Sequence, residues 1–163
     1  MLTAERLRGV LHYNRETGIF TWLVSLSNRT PAGSVAGGPA GRGYLRVSVD
    51  GTTHYAHRLA WLYVYGEWPA GKLDHKNLDR GANWIKNLRP ASSAENARNS
   101  GKPKNNTSGY KGVCLIKKTG KWHAQITVNW KNIHLGYFQT PEAAYAAYCA
   151  AAAKHHGEFA RTA

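Results

Sequence analysis

Every second residue from Leu45 to Val49 is aliphatic, and the residues between them are polar. An alternation with a period of two is typical of a β-strand that buries one face and exposes the other. The Asp50-Gly51 pair that follows predicts a hairpin turn, because both residue types tolerate the backbone of tight two-residue turns. This segment therefore predicts an antiparallel hairpin in the N-terminal part of the chain.

Capping and turn signals divide the rest of the N-terminal part. Thr3 is predicted to cap a short helix that ends at Leu11, and residues 18–24 are predicted to form a strand. Residues 25–43 are rich in Gly, Pro and Ser and predict a loop. Residues 57–65 predict a second helix that stops before Gly66.

The segment 72–100 is predicted to run strand, loop, strand, helix. A short strand ends at His75, a polar loop follows, and residues 87–89 return as a second strand. Ser92-Ser93 then offers an N-cap for a helix that carries Asn96. This order can bring a residue on the first strand close to a residue on the helix.

Residues 101–109 form a linker by composition, and an antiparallel sheet is predicted beyond it. Residues 110–118, 121–130 and 131–140 read as three strands. A helix is predicted to begin at the Thr140-Pro141 cap and to end at Gly157. The C-terminal part is therefore predicted to be a three-stranded sheet packed on one alanine-rich helix.

The middle strand of this sheet has one apolar and one polar face. Side chains alternate across a strand, so Trp122, Ala124, Ile126 and Val128 share one face. The opposite face carries hydrogen-bonding side chains that could touch base edges in a major groove. The residues predicted to do so are His123, Gln125 and Thr127.

The chain of 163 residues carries a net charge of +13, and its isoelectric point is near 10.0. A charge of this size favours polyanionic partners, with nucleic acid first among them, although ribosomal and chromatin proteins share the bias. No acidic residue lies between Asn96 and Pro141. The cationic side chains predicted to contact DNA in this segment are Arg98, Lys111, Lys117, Lys118, Lys121 and Lys131.

The same composition argues against a membrane protein. No stretch approaches the roughly 18 apolar residues that span a bilayer, and the polar N-terminus does not resemble a signal peptide. Cys114 and Cys149 lie far apart without a CxxC pattern and are predicted to be reduced thiols. We therefore expect a cytoplasmic protein.

Asp74 and His75 are the candidate catalytic pair. Neighbouring side chains of an extended strand point to opposite faces, so Asp74 could ligate a divalent cation while His75 accepts a proton from water. A solvated loop pair is the simpler alternative for the dipeptide alone. Together with the basic remainder of the chain, the pair predicts a metal-dependent nuclease. His57, by contrast, is predicted to be a core or cap histidine.

The stretch from Leu73 to Asn96 reads LDHKNLDRGANWIKNLRPASSAEN. It resembles the HNH endonuclease family, whose phage and homing-type members read DHxNxDRxxNxxxNLR. The resemblance implies a ββα-metal fold with His75 as the general base and Asn87 bracing the loop and orienting His75. It also implies that Asp74 and Asn96 hold one Mg²⁺ or Mn²⁺ ion per active site. A carboxylate and an amide form an oxygen-only ligand set that suits these ions better than Zn²⁺.

A second resemblance covers most of the C-terminal part. The strings SGYKGV, GKWHAQI and KNIHLGYFQTPEAAYAAYCAAAAKHHGEFA are similar to the Apetala-two/ethylene-response-factor DNA-binding domain. The resemblance implies that the three-stranded sheet faces DNA and that the helix packs behind it. This sheet carries more Lys than Arg, and Lys acts as a point charge where Arg makes bidentate contacts with guanine.

The sequence thus predicts an α+β protein with an HNH nuclease domain over residues 1–100, its core motif over 72–100, a linker over 101–109 and a DNA-binding domain over 110–163. The predicted activity is metal-dependent, site-preferring cleavage of double-stranded DNA, of the homing type by resemblance, with 5′-phosphate products. A non-cleaving DNA-binding regulator with a decayed nuclease block is the alternative. Monomer and dimer, and nicking and double-strand cleavage, remain open.

Overall fold

A computed structural model describes residues 1–162 of the chain. These residues form two compact units, Met1–Ser92 and a second unit that begins at Ser93. Within residues 1–162 there are four α-helices and four antiparallel sheets of two or three strands each. The predicted α+β class is therefore confirmed. Ala163, the last residue of the predicted DNA-binding domain, lies outside the described residues.

The first unit holds two helices and seven short strands. In chain order they are α1 (Ala4–Val10), β1 (Leu11–Tyr13), β2 (Phe20–Trp22), β3 (Gly38–Pro39), β4 (Leu45–Val49), β5 (Thr52–Tyr55), α2 (Ala56–Tyr65), β6 (Lys72–His75) and β7 (Leu88–Ala91). A 3₁₀ turn precedes β7 at Ile85–Asn87.

The second unit holds the remaining two helices and three strands. They are α3 (Ser93–Arg98), β8 (Val113–Ile116), β9 (Lys121–Val128), β10 (Lys131–Phe138) and α4 (Pro141–His156), and a 3₁₀ turn follows at Gly157–Phe159. The helix that carries Asn96 therefore belongs to the same compact unit as the C-terminal sheet.

The first helix is capped as predicted but ends one residue early. The Thr3 hydroxyl accepts a hydrogen bond from the Arg6 backbone N–H at 3.2 Å, which satisfies a donor of the first turn. Leu11 lies not in the helix but in β1, where it pairs with Trp22 of β2. Strand β1 was missed because its buried Leu11 and Tyr13 continue the apolar spacing of the helix before it.

The core of the first unit lies between the two helices and the β1–β2 and β3–β5 sheets. Leu7, Leu59 and Leu62 are almost completely buried in one cluster, which Val47 and Val49 join from β4. The buried valines alternate with exposed residues as predicted. The predicted turn between β4 and β5 is also present, with a left-handed backbone at Asp50-Gly51.

Strands β6 and β7 form a separate antiparallel hairpin around a twelve-residue connection, 76–87. In its register Asp74 lies opposite Arg89, and His75 lies opposite Leu88. Directly opposite residues in an antiparallel pair have neighbouring side chains. The hairpin thus places two of the candidate residues at the start of a long polar loop.

The sheet of the second unit has the order β10-β9-β8 and is antiparallel throughout. Helix α4 packs on one face, where Ile126 of β9 lies against Tyr148 and Ala152. The Thr140 hydroxyl caps this helix by accepting from the Ala143 N–H at 3.2 Å. A three-stranded sheet on one alanine-rich helix is the arrangement that the alternation pattern predicted.

Gly112, just before β8, lies directly against the ring of Tyr148. Its φ of +74° is in the left-handed region, and an added Cβ would overlap the Tyr148 ring and lie 2.7 Å from the Gln125 carbonyl oxygen. We expect Gly112→Ala to lower the free energy of unfolding of the second unit by about 2–5 kcal/mol. Gly120→Ala is the matched control, since Gly120 has a similar φ of +68° but nothing within 4 Å.

The control separates backbone strain from steric overlap. Gly120→Ala carries only the strain of the left-handed backbone, so its expected cost is about 1–2 kcal/mol. Denaturant unfolding followed by far-ultraviolet circular dichroism measures both variants. Equal destabilisation by the two substitutions would show that the contact with Tyr148 contributes nothing.

Candidate functional site

The candidate site begins with a buried ion pair across the β6–β7 hairpin. The Nε and Nη2 atoms of Arg89 lie 2.9 and 2.8 Å from Oδ2 of Asp74, and both side chains are almost fully buried. Two N–H groups therefore converge on one carboxylate oxygen. A buried carboxylate requires such a partner, because an unpaired charge in the interior is costly. Arg89 was assigned no role from the sequence, although the antiparallel register places it beside Asp74.

His75 is held by a second buried contact, from the loop that follows it. Its Nε2 lies 3.0 Å from Oδ1 of Asn83, and Asn83 is only 1% exposed. The Asn83 Nδ2 donates to the Gly81 carbonyl oxygen at 3.1 Å, which fixes the orientation of the amide. Since the amide oxygen only accepts, Nε2 of His75 carries the proton and donates it. Nδ1 of His75 then carries the lone pair that a general base needs.

Burial is the main influence on the charge of His75. It lowers the pKa of the imidazole, while the hydrogen bond to Asn83 and the charges of Asp74 and Asp79 act in the opposite direction and Arg80 adds to the lowering. The net direction is downward. The neutral imidazole, which can accept a proton, is therefore the favoured form near neutral pH.

Asn87 braces the loop that follows His75. Its Nδ2 donates to the Ala82 carbonyl at 2.7 Å and to Oδ1 of Asn77 at 2.9 Å. Its Oδ1 accepts from the Asn77 backbone N–H at 3.1 Å. These bonds tie both ends of the loop segment 77–82 to one buried side chain. The bonds of Asn87 therefore reach the loop that carries Asn83, the hydrogen-bond partner of His75.

Aromatic rings form one wall beside His75. The ring of His57 lies 5.2 Å from the His75 ring, edge to face, and Tyr44 lies 6.1 Å away. Burial, with smaller contributions from His75 and Arg58, lowers the pKa of His57 to about 4. His57 is buried, as a core histidine would be, but the sequence did not indicate that it packs against the candidate base. The guanidinium of Arg80 lies over the Tyr44 ring, 4.9 Å from its centroid.

The predicted metal ligands lie on different elements. Asp74 is on β6, and Asn96 is on α3 and partly buried. Within residues 1–162, no group of three or more His, Cys, Asp or Glu side chains is arranged to hold a metal ion. A carboxylate and an amide would instead supply two hard oxygen ligands, and Mg²⁺ usually takes only one or two protein carboxylates and completes its shell with water and phosphate.

The open face of the C-terminal sheet carries the residues predicted to read base edges. Gln125 and Thr127 are exposed there, whereas Ile126 between them is 2% exposed and faces α4. Thr127 donates from its hydroxyl to Oδ1 of Asn132 at 2.7 Å. The remaining predicted residue, His123, lies with its Nε2 2.8 Å from Nδ1 of His134. The face is thus polar, and its side chains are linked across strands.

The cationic side chains that are predicted to contact DNA differ in their surroundings. Arg98 donates to Oδ1 of Asn129 at 3.2 Å. The ammonium group of Lys111 donates to the carbonyl oxygens of Arg98 and Ser100 at 2.8 and 2.6 Å, and burial lowers its pKa. Lys111 thus holds the chain after α3 in place. The exposed members of the set are Lys117, Lys118, Lys121 and Lys131.

Comparisons with known proteins agree with a nuclease at the first of these sites. Residues 54–98 match the family model described as HNH endonuclease, and this match supports a nuclease. The matched segment includes Asp74, His75, Asn83 and Asn87 of the candidate site, and Asn96 on α3. No solved structure is a significant match to the chain.

Two plant proteins are similar to part of the chain. The chain is 40% identical over 55 residues to the AP2-like ethylene-responsive transcription factor TOE2 of Arabidopsis thaliana. These 55 residues are 34% of this chain and 11% of that protein. The identity to APETALA2-like protein 2 of Oryza sativa subsp. indica is also 40% over 55 residues, or 34% of this chain and 13% of that protein. The chain spans only a small part of the length of these relatives.

No helix within residues 1–162 combines the length and the apolar character needed to cross a membrane. Cys114 is exposed and Cys149 is partly buried, and both are thiols. Sγ of Cys114 lies 3.6 Å from Nδ1 of His123.

Proposed function

We propose that this protein is a Mg²⁺-dependent DNA endonuclease that prefers particular sites and is of the homing type. The observation that carries the proposal is the pair of buried contacts at the β6–β7 hairpin, inside the segment that matches the HNH endonuclease model. Asn83 holds a neutral His75 in one tautomer, and Arg89 holds Asp74 on the neighbouring position. Buried polar groups arranged in this way are typical of catalytic sites.

His75 is the proposed general base. Its Nδ1 takes a proton from water, and the resulting hydroxide attacks the phosphorus in line with the departing 3′ oxygen. The P–O3′ bond breaks and the departing 3′ oxygen takes up a proton from solvent water, so the products carry 5′-phosphate and 3′-hydroxyl ends. The surrounding rings of His57 and Tyr44 and the hydrogen bond to Asn83 fix the imidazole, which reduces the entropic cost of reaching the reactive geometry.

Asp74 and Asn96 are the residues that would hold the metal ion. When bound, Mg²⁺ would supply positive charge at the scissile phosphate. The oxygen-only donor pair fits this ion better than it fits zinc. Arg89 keeps the Asp74 carboxylate in a fixed orientation by its two contacts to Oδ2, so the ligand is positioned before any ion arrives.

The C-terminal sheet is the proposed DNA-binding surface. Its open face carries Gln125, Thr127 and His123, and the exposed lysines lie on the turns and strand ends of the same sheet. Support comes from the absence of acidic residues between Asn96 and Pro141 and from the partial likeness to a plant protein named as a transcription factor. A nuclease with such a surface would act on double-stranded DNA.

Plasmid cleavage by the intact protein tests the function directly. We expect nicked or linear product with Mg²⁺ and none with excess EDTA. Cleavage that persists in EDTA would contradict the metal-dependent mechanism. Binding without cleavage, under either condition, would favour the alternative of a DNA-binding regulator with an inactive nuclease block.

Substitutions on the C-terminal sheet should distinguish side chains that read the base sequence from side chains that attract DNA by charge. Gln125→Ala is expected to reduce the preference for a specific duplex by about 1–3 kcal/mol, because a glutamine can make paired hydrogen bonds to one base edge. Lys121→Ala is the matched change on the same strand. It should weaken binding to all duplexes alike and reduce the slope of log affinity against log salt by about one.

Salt titrations on specific and random duplexes measure both effects. If Gln125→Ala lowers affinity for both duplexes equally, the side chain does not read sequence. If the salt slope of Lys121→Ala equals that of the unmodified protein, this lysine does not contact phosphate.

A further inference from the structure

The turn between β9 and β10 contains a tryptophan in a conformation that few residues adopt. Val128 pairs with Lys131, so Asn129 and Trp130 are the two central residues of the hairpin. Their φ angles are +48° and +64°. A two-residue turn with both φ angles positive favours Asn and Gly. Asn129 fits this preference, but a bulky residue with a positive φ is an outlier.

Burial of the side chain does not offset this strain. The Trp130 side chain is 79% exposed, more than any other large hydrophobic residue within 1–162 except Met1. Burial therefore does not explain why an indole occupies the position. Strained residues at exposed positions are a sign of function, and an exposed aromatic ring in a strongly basic protein is suited to contact nucleic acid.

Hydrogen bonds hold the turn between β9 and β10 in position. Arg98 donates to Oδ1 of Asn129 at 3.2 Å, and Thr127 donates to Oδ1 of Asn132 across the strands below the turn. The indole is therefore presented on an anchored hairpin rather than on a loose loop. A fixed platform loses little conformational entropy when a ligand stacks on it.

A cavity of about 350 Å³ opens beside Trp130. Ala94 and Ala97 of α3 line one side, and Ile126 and Tyr148 are also in the wall. No acidic residue lines this cavity, whereas Arg98, Lys111 and His156 do. A largely apolar cavity whose lining includes the cationic side chains of Arg98 and Lys111 suits a flat, uncharged ring that is attached to a phosphate.

Some polar groups of the wall are engaged inside the protein, whereas Nδ1 of His156 has no hydrogen-bond partner. The Lys111 ammonium group already donates to two backbone carbonyls, and the Asn129 amide oxygen accepts from Arg98. Stacking on the Trp130 indole would be the main contact, and every nucleobase has a face that can stack.

We propose that Trp130 and the adjacent cavity bind a DNA base that has left the helical stack. The inference rests on the proposed DNA binding and adds a contact at the β9–β10 turn, beside the open face of the sheet, whose Gln125 and Thr127 also line the cavity. Proteins that kink DNA place apolar side chains at an opened base step in this way, and a base outside the stack needs an apolar pocket to enter.

The test compares two duplexes that differ only in one extrahelical 2-aminopurine. Binding is measured by fluorescence anisotropy in EDTA, which prevents metal-dependent cleavage, and the 2-aminopurine emission reports stacking. We expect the intact protein to bind the bulged duplex about tenfold more tightly than the paired one and to quench the emission. Trp130→Gly should reduce the preference to within about twofold, whereas Trp130→Phe should keep most of it.

Thermal unfolding separates this role from a structural one. Glycine suits the backbone at position 130, so Trp130→Gly should unfold at the same temperature as the intact protein or a higher one. Equal affinity of the intact protein for the two duplexes, or an unchanged preference in Trp130→Gly, would overturn the inference alone. Failure of the intact protein to bind either duplex would overturn the proposed DNA binding as well.

Discussion

Replacing His75 with alanine is expected to lower the rate of DNA cleavage by about 10²–10⁴-fold. The variant loses the group that accepts the proton of the attacking water. DNA affinity should change little, because a general base acts in the transition state more than in substrate binding. Single-turnover cleavage of a plasmid measures the rate, and a filter or anisotropy titration in EDTA measures the affinity.

Two controls show whether the imidazole itself is responsible. Added imidazole should restore part of the activity of His75→Ala, since the substitution leaves space beside the rings of His57 and Tyr44. Asn83→Ala keeps the base but removes the bond that fixes its tautomer, so its rate should fall between those of the intact protein and His75→Ala. A His75→Ala rate close to that of the intact protein would show that another group is the base.

Asp74→Ala should have a second large effect, on stability as well as activity. The substitution removes the carboxylate that forms a buried ion pair with the Arg89 guanidinium. Removing one partner of a buried ion pair typically costs about 3–5 kcal/mol. We expect hydrogen exchange of the β6 and β7 amides to accelerate accordingly and cleavage to be lost.

A double variant separates the two effects. Asp74→Ala combined with Arg89→Met removes both charges and fills the space with an apolar side chain, so most of the lost protection should return. Cleavage should stay absent, because the proposed metal ligand is still missing. Recovery of cleavage in the double variant would mean that Asp74 is needed only to accompany Arg89. Unchanged exchange in Asp74→Ala would contradict a stabilising role for the pair.

Much of the fold could be predicted because its signals are local. The Asp50-Gly51 turn, the Thr140-Pro141 start of α4 and the alternation along β9 each depend on a few neighbouring residues. Tight turns, helix caps and side-chain alternation act over one to four positions. Strand β1 was missed for the same reason, since its short apolar pattern merges with that of α1.

The contacts of the site were harder to predict because they join distant positions. Asn83 lies in a polar loop without periodicity, and nothing near it in the sequence indicates that its amide meets His75. His57 is 18 positions away from His75, yet their rings are in contact. The contact of Arg89 with Asp74 could have been predicted, because pairing the two short strands in antiparallel register places Arg89 opposite Asp74.

Lys111 shows the limit of arguments from charge. In the sequence it belongs to a set of lysines with no acidic neighbours, which predicts phosphate contacts. In the structure its ammonium group is partly buried and donates to the carbonyl oxygens of Arg98 and Ser100. The formal charge of a lysine does not reveal whether its ammonium group already donates to backbone carbonyls. For Lys111 the positions of those carbonyls depend on the path of the linker.

The two hydrogen bonds from Lys111 to the end of α3 act as a clamp on this helix. They also restrict where such a chain can recombine during evolution. An exchange of C-terminal segments at the glycine- and lysine-rich stretch 101–109 would separate Lys111 from the two carbonyls at the end of α3. Helix α3 is only six residues long, and helices this short are marginal without packing partners. A hybrid joined there would inherit a frayed helix at Asn96. Exchange just before Ser93 would transfer the helix and its clamp together, so modular reshuffling is expected to favour that junction.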